Sequence, residues 1–155
     1  MQSATKVIVY GLGYIGRSVV ESLLTENPFW NRPLELVGVV DIMPESRQWA
    51  QKKGVKAFHS LKDLLSKTKP DVCIHTTAST LAIIMAQLKE LIESKTPVVT
   101  SAEGMFFPWV ENAELARETD KRCKTAGVAV LGTRVNPGFV MDVLPALLTQ
   151  VVHTV

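Results

Sequence analysis

Short apolar runs along the chain alternate with stretches whose apolar residues recur every three or four positions, a change of period that predicts strands alternating with helices. The first run, residues 6–10 (Lys6-Val7-Ile8-Val9-Tyr10), predicts a strand, and Ile15, Val19, Val20, Leu23 and Leu24 then share one helical face. Asn27-Pro28 stops that helix, residues 29–33 form a connecting loop, and residues 34–40 predict the second strand. Pro44 and Glu45 open a helix through about residue 53 that Gly54 closes, and residues 55–58 predict a brief third strand. Ser60-Leu61-Lys62-Asp63 carries an N-cap pattern for a helix through about residue 67, and Lys69-Pro70-Asp71 turns into a fourth strand over 72–76. A helix over 80–94 places Leu81, Ile84, Met85, Leu88, Leu91 and Ile92 on its buried face. A fifth strand spans 97–100, and Pro108-Trp109 leads into one long helix through residue 126, ended by Gly127. Residues 128–131 predict a sixth strand, and Asn136-Pro137-Gly138 opens a final helix through about residue 148. Strand–helix alternation throughout predicts an α/β fold: a doubly wound parallel sheet in three layers, with about six strands.

The turn after the first strand reads Gly11-Leu12-Gly13-Tyr14-Ile15-Gly16, a G-x-G-x-x-G between strand and helix. In that setting the first glycine makes a tight turn, the second lets the backbone approach a pyrophosphate, and the third lets helix and strand pack closely. Free N–H groups at the helix start face the anion, with the helix dipole favouring it. Asp41 ends the second strand, where a carboxylate accepts both adenosine ribose hydroxyls and repels a 2′-phosphate. It lies somewhat beyond the usual spacing of about 20 residues, and the 29–33 loop accounts for the excess. The reading is therefore a Rossmann-type site for NAD, with Arg47, Lys52 and Lys53 near enough to keep NADP open as a second cofactor.

Ligands of an open parallel sheet lie beyond the carboxyl ends of its strands. Those ends supply Gly11, Leu12, Gly13, Tyr14, Ile15, Gly16, Asp41, Thr76, Thr77, Ala78 and Asn136 as candidate cofactor-binding residues. Arg17 and His59 lie at the same edge, each balanced by an ordinary solvated role. His75 and Glu103 are the candidate catalytic side chains, His75 as general acid or substrate-orienting group and Glu103 as partner of a substrate amino group. For His75 the alternative is a core imidazole whose nitrogens are satisfied internally. No triad and no metal-ligand spacing occurs, and none is needed where the cofactor carries the chemistry.

Composition narrows the remaining classes. With 155 residues, 46% hydrophobic and 21% charged, the chain is a globular single domain. A formal charge of +2, with no compact basic patch and no aromatic interleaving, argues against nucleic acid. No apolar run approaches the ~20 residues of a membrane span, and the N-terminus leads straight into a strand without a signal peptide. The two cysteines, Cys73 and Cys123, form no metal motif. A cytoplasmic protein is expected, with a dinucleotide and a small amino-acid-like substrate as partners and homo-oligomerisation left open. Residues 1–155 read as one NAD(P)-binding domain. The tail Val151-Val152-His153-Thr154-Val155 looks like the start of another strand, so a C-terminal substrate domain is expected to be missing.

Thr100-Ser101-Ala102-Glu103, Leu131-Gly132-Thr133 and the run Val135-Asn136-Pro137-Gly138-Phe139-Val140-Met141-Asp142-Val143-Leu144-Pro145 resemble the 2,4-diaminopentanoate dehydrogenase family, grouped with the dihydrodipicolinate reductases. The resemblance implies oxidation at an amine-bearing carbon, with hydride passing to the nicotinamide of NAD(P) and water releasing ammonia from the resulting imine. It implies that Gly11, Gly13, Gly16 and Asp41 hold cofactor, and that Thr76, Thr77 and Glu103 lie near nicotinamide or substrate. Arg134 stands where the pattern has glycine. Two other readings stay open: an imine reductase closer to dihydrodipicolinate reductase, and a non-catalytic NAD(H)-binding module. Sugar and homoserine dehydrogenases usually present lysine after the fifth strand, where this chain has Glu103.

Overall fold

In the computed structural model, residues 3–25, 33–133 and 135–150 are described. Six parallel strands form one sheet in the order β3-β2-β1-β4-β5-β6: β1 (Thr5–Tyr10), β2 (Leu34–Val40), β3 (Ala57–Phe58), β4 (Val72–His75), β5 (Val98–Thr100) and β6 (Val130–Gly132). The order reverses at β1, whose neighbours are β2 on one side and β4 on the other. That switch point opens a crevice at the carboxyl ends of β1, β2 and β4.

Side chains alternate across β1 and β2 and so build two cores. Ile8, Tyr10 and Val40 face one side, packed with Leu61 and Leu64 of α3 (Leu61–Leu65) and with Leu81, Ile84, Leu88 and Leu91 of α4 (Leu81–Glu93). Val9 and Val39 face the other, with Val20 of α1 (Tyr14–Leu24) and Ala50 of α2 (Pro44–Lys52). All six residues expected on the inner face of α4 are buried. Such uniform burial is characteristic of a central parallel sheet covered on both faces.

Several elements differ from the expectation. The long helix over 108–126 is two helices, α5 (Pro108–Glu111) and α6 (Ala113–Ala126). Asn112 leaves the helical conformation and its side-chain oxygen accepts from the Leu115 N–H at 3.2 Å, so a new N-cap interrupts the apparent run. Gly127, at φ +71, closes α6 in the left-handed conformation. In α1 the buried residues are Gly16 and Val20, while Ile15 and Leu24 are exposed. The close approach of Gly16 to the strand-end backbone narrows the inner face to an i, i+4 pair, with Val19 and Leu23 flanking it half-buried. A short 3₁₀ turn, Glu103–Met105, follows β5, and the final helix starts as a π-type segment, Val135–Val143, before α7 (Leu144–Thr149). No residue of α7 is buried, and Phe139, Val140, Met141, Val143, Leu147 and Leu148 all reach solvent. The Asn27-Pro28 helix stop, loop residues 29–32, Arg134 and the tail 151–155 lie outside the described residues.

Candidate functional site

The glycine turn is built by steric exclusion. Gly11 sits at φ +97, and a Cβ there would lie 2.8 Å from the Thr77 methyl and 2.9 Å from the Thr76 carbonyl. At Gly16 a Cβ would overlap the Gly11 carbonyl oxygen, a backbone atom that cannot swing aside. Gly13 differs: a Cβ there meets no atom within 4 Å. Its missing side chain therefore leaves open a space that the protein itself does not fill. Gly13 is also the N-cap of α1 and offers no side-chain cap, so the first-turn N–H groups receive no side-chain partner from it. Tyr14 and Ile15 are exposed beside it.

Thr76 ties β4 to this turn. Its N–H donates to the Tyr10 carbonyl at 2.8 Å, and its hydroxyl donates to the Gly11 carbonyl at 2.7 Å. Asp41 ties β2 to it. One carboxylate oxygen accepts the Leu12 N–H at 2.6 Å and the other the Met43 N–H at 2.8 Å, while the residue is only 8% exposed. Each carboxylate oxygen can accept a further hydrogen bond, so Asp41 is anchored yet still able to receive hydroxyl donors.

Three of the four neighbouring cations hold other partners. Arg47 donates to the carbonyls of Asp41 and Ile42 at 2.8 and 2.7 Å, with His59 at 3.4 Å. Lys53 pairs with Glu21 at 3.0 Å and lies 5.2 Å from the Trp49 ring centroid. Arg17 donates to the Leu12 carbonyl and also lies 5.2 Å from the centroid of that ring. Lys52 is exposed.

Between these elements lies a cavity of about 290 Å³, lined by residues of the glycine turn, Asp41, Ile42, Thr76, Thr77, Ala78, Ile83 and Gln87. Predominantly apolar walls with a few convergent polar groups suit a flat heterocycle joined to a sugar.

His75 is fully buried at the base of this region. Its Nδ1 lies 3.0 Å from the Thr100 hydroxyl, and its Nε2 lies 2.9 Å from both the Gln87 side-chain oxygen and the Thr77 hydroxyl. Burial holds the imidazole below its ordinary pKa, opposed by the Gln87 hydrogen bond. Of the two readings left open for His75, the geometry is that of the internally satisfied imidazole. Glu103 stands exposed at the start of the 3₁₀ turn, and Gly104 N–H donates to the Ser79 carbonyl at 3.0 Å, joining the loops after β4 and β5. The backbone of Asn136 falls within the π-type segment.

Tyr10, Gln87, Thr100 and Ile83 escaped the sequence reading, whereas Ile42 lies in a strand-end segment, Asp41-Ile42-Met43, expected to border a dinucleotide. Gln87 had a signal: it is a polar residue bordering the apolar stripe of α4, one helical turn beyond Ile83 and Ile84. Tyr10 had a weaker one, a phenol ending an otherwise aliphatic strand. Burial raises its pKa, assisted by the charge of Glu90.

Among the described residues there is no cluster of metal-ligating side chains and no helix long and apolar enough to cross a membrane. The chain is 33% identical to 2,4-diaminopentanoate dehydrogenase of Acetoanaerobium sticklandii over 164 aligned positions, covering 97% of this chain and 44% of that protein. The structure of an amine dehydrogenase from Mycobacterium smegmatis superimposes with a TM-score of 0.80 at 25% identity, covering 99% of this chain and 46% of that one. Scyllo-inositol dehydrogenase from Lactobacillus casei shares the fold, with a TM-score of 0.65 at 16% identity over 83% of this chain and 37% of that one. The chain thus spans less than half the length of each of these relatives. Over residues 5–131 it matches the GFO/IDH/MocA model, described as an oxidoreductase family with an NAD-binding Rossmann fold, and it belongs to that family.

Proposed function

We propose that this chain is the cofactor-binding half of an amine dehydrogenase acting on a small amino-acid-like substrate, with NAD as its preferred dinucleotide. The observation that carries the reading is the pairing of an open Gly13 cradle with the doubly anchored Asp41. Gly11, Leu12, Gly13, Tyr14, Ile15 and Gly16 hold the pyrophosphate through backbone N–H groups at the start of α1. Asp41 receives the adenosine ribose, held in place by the same Leu12 N–H that belongs to the glycine turn. Thr76, Thr77 and Ala78 flank the dinucleotide from β4, and Asn136 and Glu103 lie towards its reactive end.

Preference for NAD over NADP rests on charge. An anchored carboxylate repels a 2′-phosphate, and Arg47 and Lys53 are already committed to carbonyls and to Glu21. When bound, the nicotinamide supplies the hydride acceptor. Likeness to the two amine-oxidising relatives favours a carbon bearing an amino group as donor. The remaining length of those relatives is where the substrate pocket is sought.

The test is fluorescence titration with NADH and NADPH, followed by an NAD-reduction assay with 2,4-diaminopentanoate. NADH is expected to bind more tightly than NADPH, and Asp41→Ala to narrow or reverse that preference. Failure to bind either dinucleotide overturns the reading. Binding without turnover supports the cofactor-half assignment and directs the substrate search to a longer form of the protein.

A further inference from the structure

Beneath the cavity the partners of His75 point to one arrangement of protons. Ala102 N–H donates to the Thr100 oxygen at 3.2 Å, and the Thr100 hydroxyl keeps its own hydrogen to offer His75 Nδ1 at 3.0 Å. The Gln87 oxygen facing Nε2 favours the ring proton on that nitrogen, with Nδ1 as the acceptor of the Thr100 hydroxyl. Nε2 faces the Gln87 oxygen, which can only accept, and that oxygen also takes the Thr77 hydroxyl hydrogen at 2.6 Å. The Gln87 amide nitrogen is left free for a further acceptor, and Tyr10 lines the same cavity wall. The opposite tautomer would set an unprotonated Nε2 against an acceptor oxygen at 2.9 Å.

This chain of contacts joins several elements. It begins in the loop after β5, passes through Thr100 and His75 on adjacent strands, and ends on α4 and β1. Its outer members, Thr77, Gln87 and Tyr10, are wall residues of the cavity. Tyr10 also stacks edge-on against the His75 ring, with centroids 5.6 Å apart.

We propose that His75 and Gln87 are positioning residues for the dinucleotide: the neutral Nε2–H imidazole fixes Gln87 and Thr77 at the cavity wall and thereby sets how tightly the cofactor is held. The proposal deepens the dinucleotide reading and rests on it. Burial of the imidazole favours the same neutral form. Thr77 has a second duty here, since its methyl packs where a Gly11 Cβ would otherwise stand. A shift of Gln87 therefore moves Thr77 and loosens the glycine turn from behind.

Two readouts test it on the 155-residue chain. Long-range ¹H–¹⁵N spectra of the imidazoles should show His75 neutral and protonated on Nε2. An Nδ1–H or charged His75 near neutral pH overturns the relay. For NADH affinity, Gln87→Leu and His75→Asn should each weaken binding by about tenfold, the worth of a lost buried hydrogen bond. His75→Gln keeps a donor at the Nε2 position and should restore most of that loss. If folded Gln87→Leu and His75→Asn proteins bind NADH as the wild type does, the positioning role falls while the dinucleotide site stands. If the wild type binds no dinucleotide, the site reading falls and takes the link to affinity with it, and the tautomer spectrum still decides the relay.

Discussion

The glycine turn and the carboxyl ends of β4 and β5 border the same crevice but are made by opposite means. The turn is shaped by missing atoms: Gly16 is barred from a side chain by the Gly11 carbonyl, and Gly11 by the Thr76 carbonyl and Thr77 methyl at the end of β4. The β4–β5 side is shaped by present atoms, the imidazole, hydroxyls and amide that link His75, Thr77, Gln87 and Thr100 across 25 positions of sequence. Exclusion against backbone cannot be traded away, whereas in a hydrogen-bonded cluster each member can be altered with a graded effect. One wall of the crevice is thus rigid by construction and the other adjustable.

The sharpest break of that comparison is Gly16→Ala. Its methyl would meet the Gly11 carbonyl, so the cost should reach or exceed the upper end of the ~1–3 kcal/mol typical of overpacking. Denaturant midpoints measure it, and a near-neutral result would show that the turn is not rigid. Thr100→Val, nearly isosteric, should cost about 1–3 kcal/mol by leaving the Ala102 N–H and His75 Nδ1 without their partner. The glycine turn should survive that change with its amide shifts largely unmoved.

A smaller effect follows from pH. Burial holds the folded His75 pKa below its ordinary value of 6.5. Below that value the unfolded chain takes up a proton that the folded chain refuses, so stability falls as the solution is acidified from about 6.5 towards the folded-state pKa. Above about 6.5 this contribution is flat. Urea titrations of the wild type and His75→Gln should differ in that slope, and equal slopes would place the imidazole in solvent. The smallest effect on stability is expected at Gly13→Ala, less than ~1 kcal/mol, because the new methyl meets nothing and only the cap preference is lost. The same variant should lose dinucleotide affinity by more than about tenfold, the signature of a space kept for a ligand.

These contrasts also explain what could be read from the sequence. The glycine turn, Asp41 and the inner face of α4 were legible because each is written in a local pattern: a motif, a strand end, a 3.6-residue period. The break between α5 and α6 was not, because Asn112 sits within an otherwise helical composition and acts by conformation and capping. Ile15 and Leu24 were placed inside by periodicity alone. The close contact at Gly16, which decides how α1 rolls on the sheet, is a property of two segments together. The polar cluster was least legible, since His75, Gln87 and Thr100 find one another only through β4–β5 pairing and the packing of α4.

Helix α1 begins without a side chain to close it, for Gly13 has nothing to cap with. On the proposed reading the pyrophosphate supplies that closure, so the helix is completed by a molecule that comes and goes. Amide exchange at Tyr14 and Ile15 then becomes a gauge of nucleotide supply, fast in starvation and slow in plenty. On that reading, chains without dinucleotide open first at this end.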